Sequence, residues 1–261
     1  MKNLGILFLN DSGGALMFYL SLAFIIGFMI IHIFTNYIKF LDRKPKNRLM
    51  SFVSGGSIAY VFLHLVPELT HYQEVAEEAQ LPAWLENLDY VTYLVTLSGI
   101  AFFYGISQLN DKSQEKNKKE KDITRPSKPV FALEILSFSL YNMLIGYLLI
   151  DLSGDKLVDY FIYFIVFSFH FIANNRVLHL THEELYTNIG RWILAIAVLA
   201  GWLIYNFTET TELNIAFFSA FLTGGVILNI LNDELPVEKN SNYPSFLAGL
   251  VVITVLLQVI L

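Results

Sequence analysis

Runs of about twenty apolar residues, the length needed to cross the hydrocarbon of a bilayer, recur along the whole of this chain. Eight can be drawn: Gly13–Tyr37, Leu49–Leu69, Tyr90–Leu109, Val130–Ile150, Val158–His179, Arg191–Phe207, Asn214–Leu231 and Ser245–Leu261. Phe, Ile and Leu dominate them, and no ten-residue stretch alternates apolar with polar, which points to membrane helices rather than a membrane barrel. Composition agrees. Of 261 residues 55% are hydrophobic and 15% charged, against about 25% charged in soluble domains. The mean hydropathy is +0.52. A soluble enzyme domain, a nucleic-acid binder and a disordered chain all fit poorly. The absence of cysteine removes disulfides, thiolate metal sites and cysteine nucleophiles. No secretory leader is expected, since Lys2 is the only early positive charge and no small-residue cleavage motif follows.

Lys and Arg in the short loops set the orientation. Lys39, Arg43, Lys44, Lys46 and Arg48 lie between spans one and two. Lys112, Lys116, Lys118, Lys119, Lys121, Arg125 and Lys128 lie between three and four, Arg176 and Arg191 around the five–six turn, and Lys239 between seven and eight. Of the 17 basic residues only Lys2 and Lys156 fall on the other side. Both termini are therefore expected outside a plasma or inner membrane. Residues 110–129 are expected to form a flexible, Lys-rich cytoplasmic loop within a single transmembrane domain of residues 1–261. The outer loop after span two is acidic instead. His64, Glu68, His71 and Glu74 share helical spacing if the helix continues past Pro67, and read either as a cation-attracting vestibule or as a solvated cap.

An internal similarity organises the spans. Phe52-Val-Ser-Gly-Gly-Ser-Ile, then nine residues to Pro67, recurs as Phe221-Leu-Thr-Gly-Gly-Val-Ile, then nine residues to Pro236, an offset of 169. By the charge argument span two runs outward and span seven inward, so a true repeat is inverted, as in many transporters; chance likeness of two apolar segments is the competing reading. The repeat pairs spans one to three with six to eight and leaves four and five as a central hairpin. The expected fold is all-α, with eight transmembrane helices in a 3+2+3 arrangement.

Polar residues that cost energy in lipid are functional candidates. Glu134, Ser137, Tyr141 and Asn142 share one face of span four, and His170 and Asn174 one face of span five. Asn142 and His170 each lie roughly 18 Å into their spans at about 1.5 Å per residue, near the bilayer middle. An imidazole and an amide at one level suit a metal ion, or equally a hydrogen bond tying two helices together. Glu134 and Arg176 lie near a common level and are expected to pair. His179, His182 and Glu183 suit a metal exit site by spacing, while Thr181 and Glu184 read as a capping box for a short connecting helix, the favoured reading.

Span two, SGGSIAYVFLHLVPEL, resembles the second helix of the ZIP family of divalent-metal transporters, with His64, Pro67 and Glu68 matching its His and Pro-Glu. The resemblance implies eight helices in a 3+2+3 layout, outer termini, a long loop between helices three and four, and a metal site between helices four and five. Helix four of the family reads H-N-x-x-E/D-G; here Tyr141-Asn142-Met143-Leu144-Ile145-Gly146 keeps Asn and Gly but replaces the His and the acid. Helix five reads H-x-x-P-E/H; here His170-Phe171-Ile172-Ala173-Asn174 keeps the His, with Ala for Pro and Asn for the acid.

The expected function is movement of zinc or a similar divalent cation by the elevator or rocking motion that the resemblance implies. His170 is the principal ligand, Asn142 and Asn174 are oxygen ligands, Tyr141 lines the path, and His64 and Glu68 serve the outer side. No permanently bound cofactor is expected, and the metal is cargo. The partners are the lipid bilayer, the metal ion and, as a candidate, a second copy of the chain, with no nucleic acid. Rival readings are a non-transporting scaffold of the same fold and a transporter of another small solute. An enzyme is not expected, because the His-Glu-Glu run lacks the second His of a metallohydrolase helix and no Ser–His pairing is evident.

Overall fold

The computed structural model describes residues 12–37, 46–79, 81, 85, 88–121, 125–152, 157–234 and 242–260. Every regular element among them is helical. In chain order they are α1 (Ser12–Phe34), α2 (Lys46–Tyr60), α3 (Val66–Glu78), α4 (Val91–Lys121), α5 (Lys128–Leu152), α6 (Leu157–Leu185), α7 (Arg191–Phe207), α8 (Glu212–Asn229) and α9 (Tyr243–Ile260). Among the described residues six segments are long and apolar enough to cross a membrane, and Tyr243–Val259 is a shorter apolar helix. One of the six, Leu157–Phe207, is 51 residues long, because α6 passes into α7 through a π turn at Tyr186–Gly190 with no loop between. Large apolar side chains such as Leu16, Ile26, Ile30, Leu136, Ile165, Val255 and Val259 are exposed. Water would penalise so many; the apolar exterior suits a lipid bilayer.

One expectation changes. The Lys-rich segment is not a loop over most of its length: α4 runs on to Lys121. Ser113 accepts from the backbone N–H of Ser127 at 2.9 Å, and the Asn117 amide donates to the Arg125 carbonyl at 2.7 Å, so the chain folds back against the helix. The chain groups into two compact units, one of residues 1–37 and 103–210, the other of 38–102 and 211–261.

The first unit holds α1, α4 from Phe103, and α5 to α7. Its interior is aromatic: Phe24 stacks on Phe164 at 4.9 Å, Phe28 meets Phe171 edge-on at 5.0 Å, and Tyr141, Tyr160, Tyr163 and Phe167 are buried. Polar handles on these rings find partners, as they must where water is absent. The Tyr163 hydroxyl donates to the Ile145 carbonyl at 2.9 Å, and the Trp202 indole donates to Ser21 at 3.0 Å, tying α7 to α1.

The second unit holds α2, α3, α4 up to Phe102, α8 and α9. Gly55 of α2 lies against the Phe246 carbonyl and Leu250 amide of α9, and Gly249 of α9 against the Phe52 carbonyl. Gly224 of α8 lies against the Thr96 carbonyl and Ile100 amide of α4, and Gly99 of α4 against the Phe221 carbonyl. Phe52 and Gly55 are the residues that the offset of 169 places on Phe221 and Gly224. The two helix pairs thus cross through the same set of contacts, each needing a residue without Cβ. A second short likeness accompanies this, Leu97-Ser98-Gly99 against Leu247-Ala248-Gly249, which the sequence reading missed.

The backbone repeats as well. A π turn spans Val61–Leu65 and another Ile230–Glu234, again 169 residues apart. The first has an evident cause: Pro67 has no N–H for the carbonyl four residues back and its ring crowds that carbonyl, so the preceding turn widens. The helix nevertheless continues past Pro67 to Glu78, which meets the condition under which His64, Glu68, His71 and Glu74 share helical spacing. Pro236, the equivalent proline in sequence, lies outside the described residues.

Candidate functional site

Tyr141, His170 and Asn174, three of the polar residues singled out on spans four and five, meet inside the first unit. The Tyr141 hydroxyl reaches His170 Nε2 at 2.7 Å, and the Asn174 amide nitrogen, one turn along α6, reaches the same atom at 2.9 Å. A single ring nitrogen thus faces a hydroxyl and an amide, with donor and acceptor roles set by the ring tautomer. Asn142 turns its Nδ2 to the Phe138 carbonyl at 2.6 Å. A backbone carbonyl only accepts, so the amide orientation is fixed and Oδ1 points elsewhere. The Oδ1 atoms of Asn142 and Asn174 are buried and have no hydrogen-bond partner. Rings enclose the group: Phe103 lies 5.5 Å from Tyr141 and Phe167 lies 6.2 Å from His170, both edge-on.

His32 of α1, not singled out from the sequence, joins them. It is 1% exposed, its Nδ1 lies 3.0 Å from Asn175 Oδ1, and its ring also meets the Asn142 amide and the electrostatic field of His170. A signal was available, since a histidine late in an otherwise apolar span carries the same cost as His170. His64 and Glu68 belong to the second unit. His64 sits in the first π turn, with its ring 5.0 Å from Tyr60, and Glu68 falls in the first turn of α3.

Among the described residues no three or more His, Asp or Glu side chains gather. Of the two acid positions that the family resemblance highlights, one is held by Ile145, fully buried, and the other by Asn174, also buried. The group therefore offers imidazole nitrogens and amide oxygens with no formal negative charge. The side chain of Asp233, a conceivable carboxylate source, lies outside the described residues.

The expected pairing of Glu134 with Arg176 is replaced by another. His182 Nε2 donates to Glu134 Oε2 at 2.7 Å, and the Asn110 amide donates to Oε1 at 3.1 Å. His182 is brought inward because the backbone of α6 leaves helical geometry there, at φ −132° and ψ 37°. The three candidate exit-site ligands go to separate partners: His182 to Glu134, Glu183 to Arg125 at 2.8 Å, and His179 to Thr187 at 3.3 Å. A short helical segment does begin past the break at His182, one residue beyond the Thr181 read as its cap. Glu134 and His182 are 5% and 3% exposed, so removing either partner strands a buried polar group. Glu134→Ala and His182→Ala should each lower unfolding stability in detergent by about 3–5 kcal/mol. The double variant should fall well short of the sum, whereas Arg176→Ala combined with Glu134→Ala should be additive.

Comparison with family models, with characterised proteins and with solved structures finds no match for this chain.

Proposed function

We propose that this chain carries a divalent cation of the zinc class across the membrane, binding it among Asn142, His170 and Asn174 with Tyr141 beside them. The observation that carries the reading is two buried amide oxygens that no group donates to, Asn174 Oδ1 in the side chain that contacts His170 and Asn142 Oδ1 in the amide that meets His32. An unmet acceptor in a dry interior costs about 1–3 kcal/mol, and a passing cation would relieve both. Acceptors facing inward also argue against an anion as cargo. Because the ligand set is neutral, it compensates a double charge poorly, and binding is weak. Weak binding is compatible with transport, where the ion must also leave.

The layout we favour is eight spans in a 3+2+3 arrangement with inverted outer triplets, as the likeness to the ZIP family implies. The exchanged glycine contacts and the π turns at one offset support it. In this reading α6 and α7 are two spans joined by the π turn, and α9 is the eighth. The four candidate ligands on α5 and α6 fall within one compact unit, which an elevator or rocking motion needs, because such a motion carries an intact site. His64 and Glu68 would serve the outer approach. The Lys-rich end of α4 would face the cytoplasm of a plasma or inner membrane. The neutral ligand set also favours one rival, a member of the fold that serves as a scaffold and no longer transports.

Metal content of cells expressing the chain separates the two. Raised zinc that disappears with His170→Ala supports transport. Equal zinc in cells expressing the protein, its His170→Ala variant or neither would discard it.

A further inference from the structure

We propose that His32 is a second imidazole ligand of this site, contributed by α1, and that the completed site takes nitrogen-seeking transition-metal cations such as Zn²⁺ in preference to Mg²⁺, Ca²⁺ or Mn²⁺. This rests on the reading of Asn142, His170 and Asn174 as a cation site and adds to it a ligand and a selectivity.

Successive hydrogen bonds fix where the protons lie. The Thr35 hydroxyl donates to the Ile31 carbonyl of its own helix. Its proton being used, its oxygen can only accept, and it does so from Asn175 Nδ2 at 3.2 Å. That bond fixes the Asn175 amide, so the atom 3.0 Å from His32 Nδ1 is a carbonyl oxygen, which can only accept. The proton of the His32 ring is therefore on Nδ1, and Nε2 carries a bare lone pair. Nε2 is buried and no group donates to it; the ring's other side-chain partner is the Asn142 amide, whose Nδ2 is already committed to the Phe138 carbonyl.

A histidine kept only for packing has no need of a two-residue scaffold that fixes its tautomer and then leaves the other nitrogen unsatisfied. A metal-binding histidine needs both: an outer acceptor for one N–H, and a free lone pair at the opposite nitrogen. What the lone pair meets agrees. The ring's neighbours are the Asn142 amide and His170, and Asn142 Oδ1 is itself a partnerless acceptor whose orientation the Phe138 carbonyl fixes. The His32 Nε2 and Asn142 Oδ1 lone pairs, neither of which is offered a donor, suit a cation. Phe171, whose ring centroid is 4.4 Å from that of His32, closes one side.

The donor types set the preference. Two imidazole nitrogens with amide oxygens and no carboxylate suit the later first-row ions, whereas Mg²⁺ and Ca²⁺ depend on carboxylate oxygen and Mn²⁺ ranks low for nitrogen.

The test uses the full chain in lipid nanodiscs, with equilibrium binding of Zn²⁺ and Mn²⁺ and zinc-edge X-ray absorption to count imidazoles. The wild type should show two imidazoles and prefer Zn²⁺. His32→Gln should leave one imidazole, weaken Zn²⁺ by about tenfold to a hundredfold and narrow the preference over Mn²⁺. Asn175→Asp keeps an acceptor for the Nδ1 proton and adds charge, and should tighten Zn²⁺. If His32→Gln changes neither affinity nor the imidazole count while His170→Gln weakens binding, His32 is no ligand and the site on α5 and α6 stands. If His170→Gln has no effect, or the wild type binds no zinc, both readings fall. If His32→Gln fails to fold, Asn175→Asp decides, and unchanged or weaker Zn²⁺ binding overturns the assignment.

Discussion

Zinc uptake into vesicles carrying this protein should drop to background when His170 is replaced by alanine, and should saturate at lower zinc when Asn174 is replaced by glutamate. His170 Nε2 is where Tyr141 and Asn174 converge, at 2.7 and 2.9 Å. Removing the ring takes away the nitrogen donor of the α5–α6 group and leaves those two partners without the nitrogen they share. Loss of a principal ligand costs at least the tenfold to hundredfold typical of an outer-sphere partner, so about a hundredfold or more is expected in apparent affinity. Asn174→Glu acts oppositely. It places a carboxylate against the cation in a low-dielectric interior, where opposite charge is worth far more than in water. The cost is a buried acid in the empty state, so the gain should be larger at higher pH, where the carboxyl is ionised without metal. Zinc flux through His170→Ala equal to wild type would sink the site. Weaker apparent affinity in the Asn174→Glu variant would show that the amide oxygen is not aimed at the ion.

The largest structural effect is expected at the glycine crossings. Gly249→Val and Gly224→Val should prevent stable assembly of the second unit, because a Cβ at either position would fall inside the carbonyl of Phe52 or of Thr96. These neighbours are helix backbone and cannot rotate aside, so the helices must separate. Overpacking by a side chain commonly costs about 1–3 kcal/mol, and separating a helix pair whose contact depends on close approach adds lost packing along its length. The control is built into the chain. Gly105 has nothing within 4 Å of the place a Cβ would occupy, so Gly105→Ala should be neutral or stabilising by up to about 1 kcal/mol through helix propensity. Thermal unfolding in detergent would check this. Equal midpoints for Gly249→Val and Gly105→Ala would refute the packing account.

The apolar segments, their helix type and the likeness at an offset of 169 were legible in the sequence because each is a property of local pattern. Apolar length is set by bilayer thickness, and Phe52 and Gly55 recur at a fixed offset with the same partners in kind. Tyr141, His170 and Asn174 could be grouped because helical spacing and depth are one-dimensional quantities. Three things needed the tertiary structure. The Lys-rich segment is too polar to read as a membrane helix, yet α4 extends through it to Lys121, with Ser113 and Asn117 bonded to the returning chain. Glu134 chose His182 over Arg176 because a break in the backbone at one residue turned that side chain inward, and no propensity marks such a break. His32 stands more than a hundred residues from Asn142 and His170, so its place beside them depends on how α1 packs against the other helices. Sequence spacing speaks within a helix; which faces of different helices meet is decided by packing, and the tautomer of His32, set through Asn175 and Thr35, follows only once that packing exists.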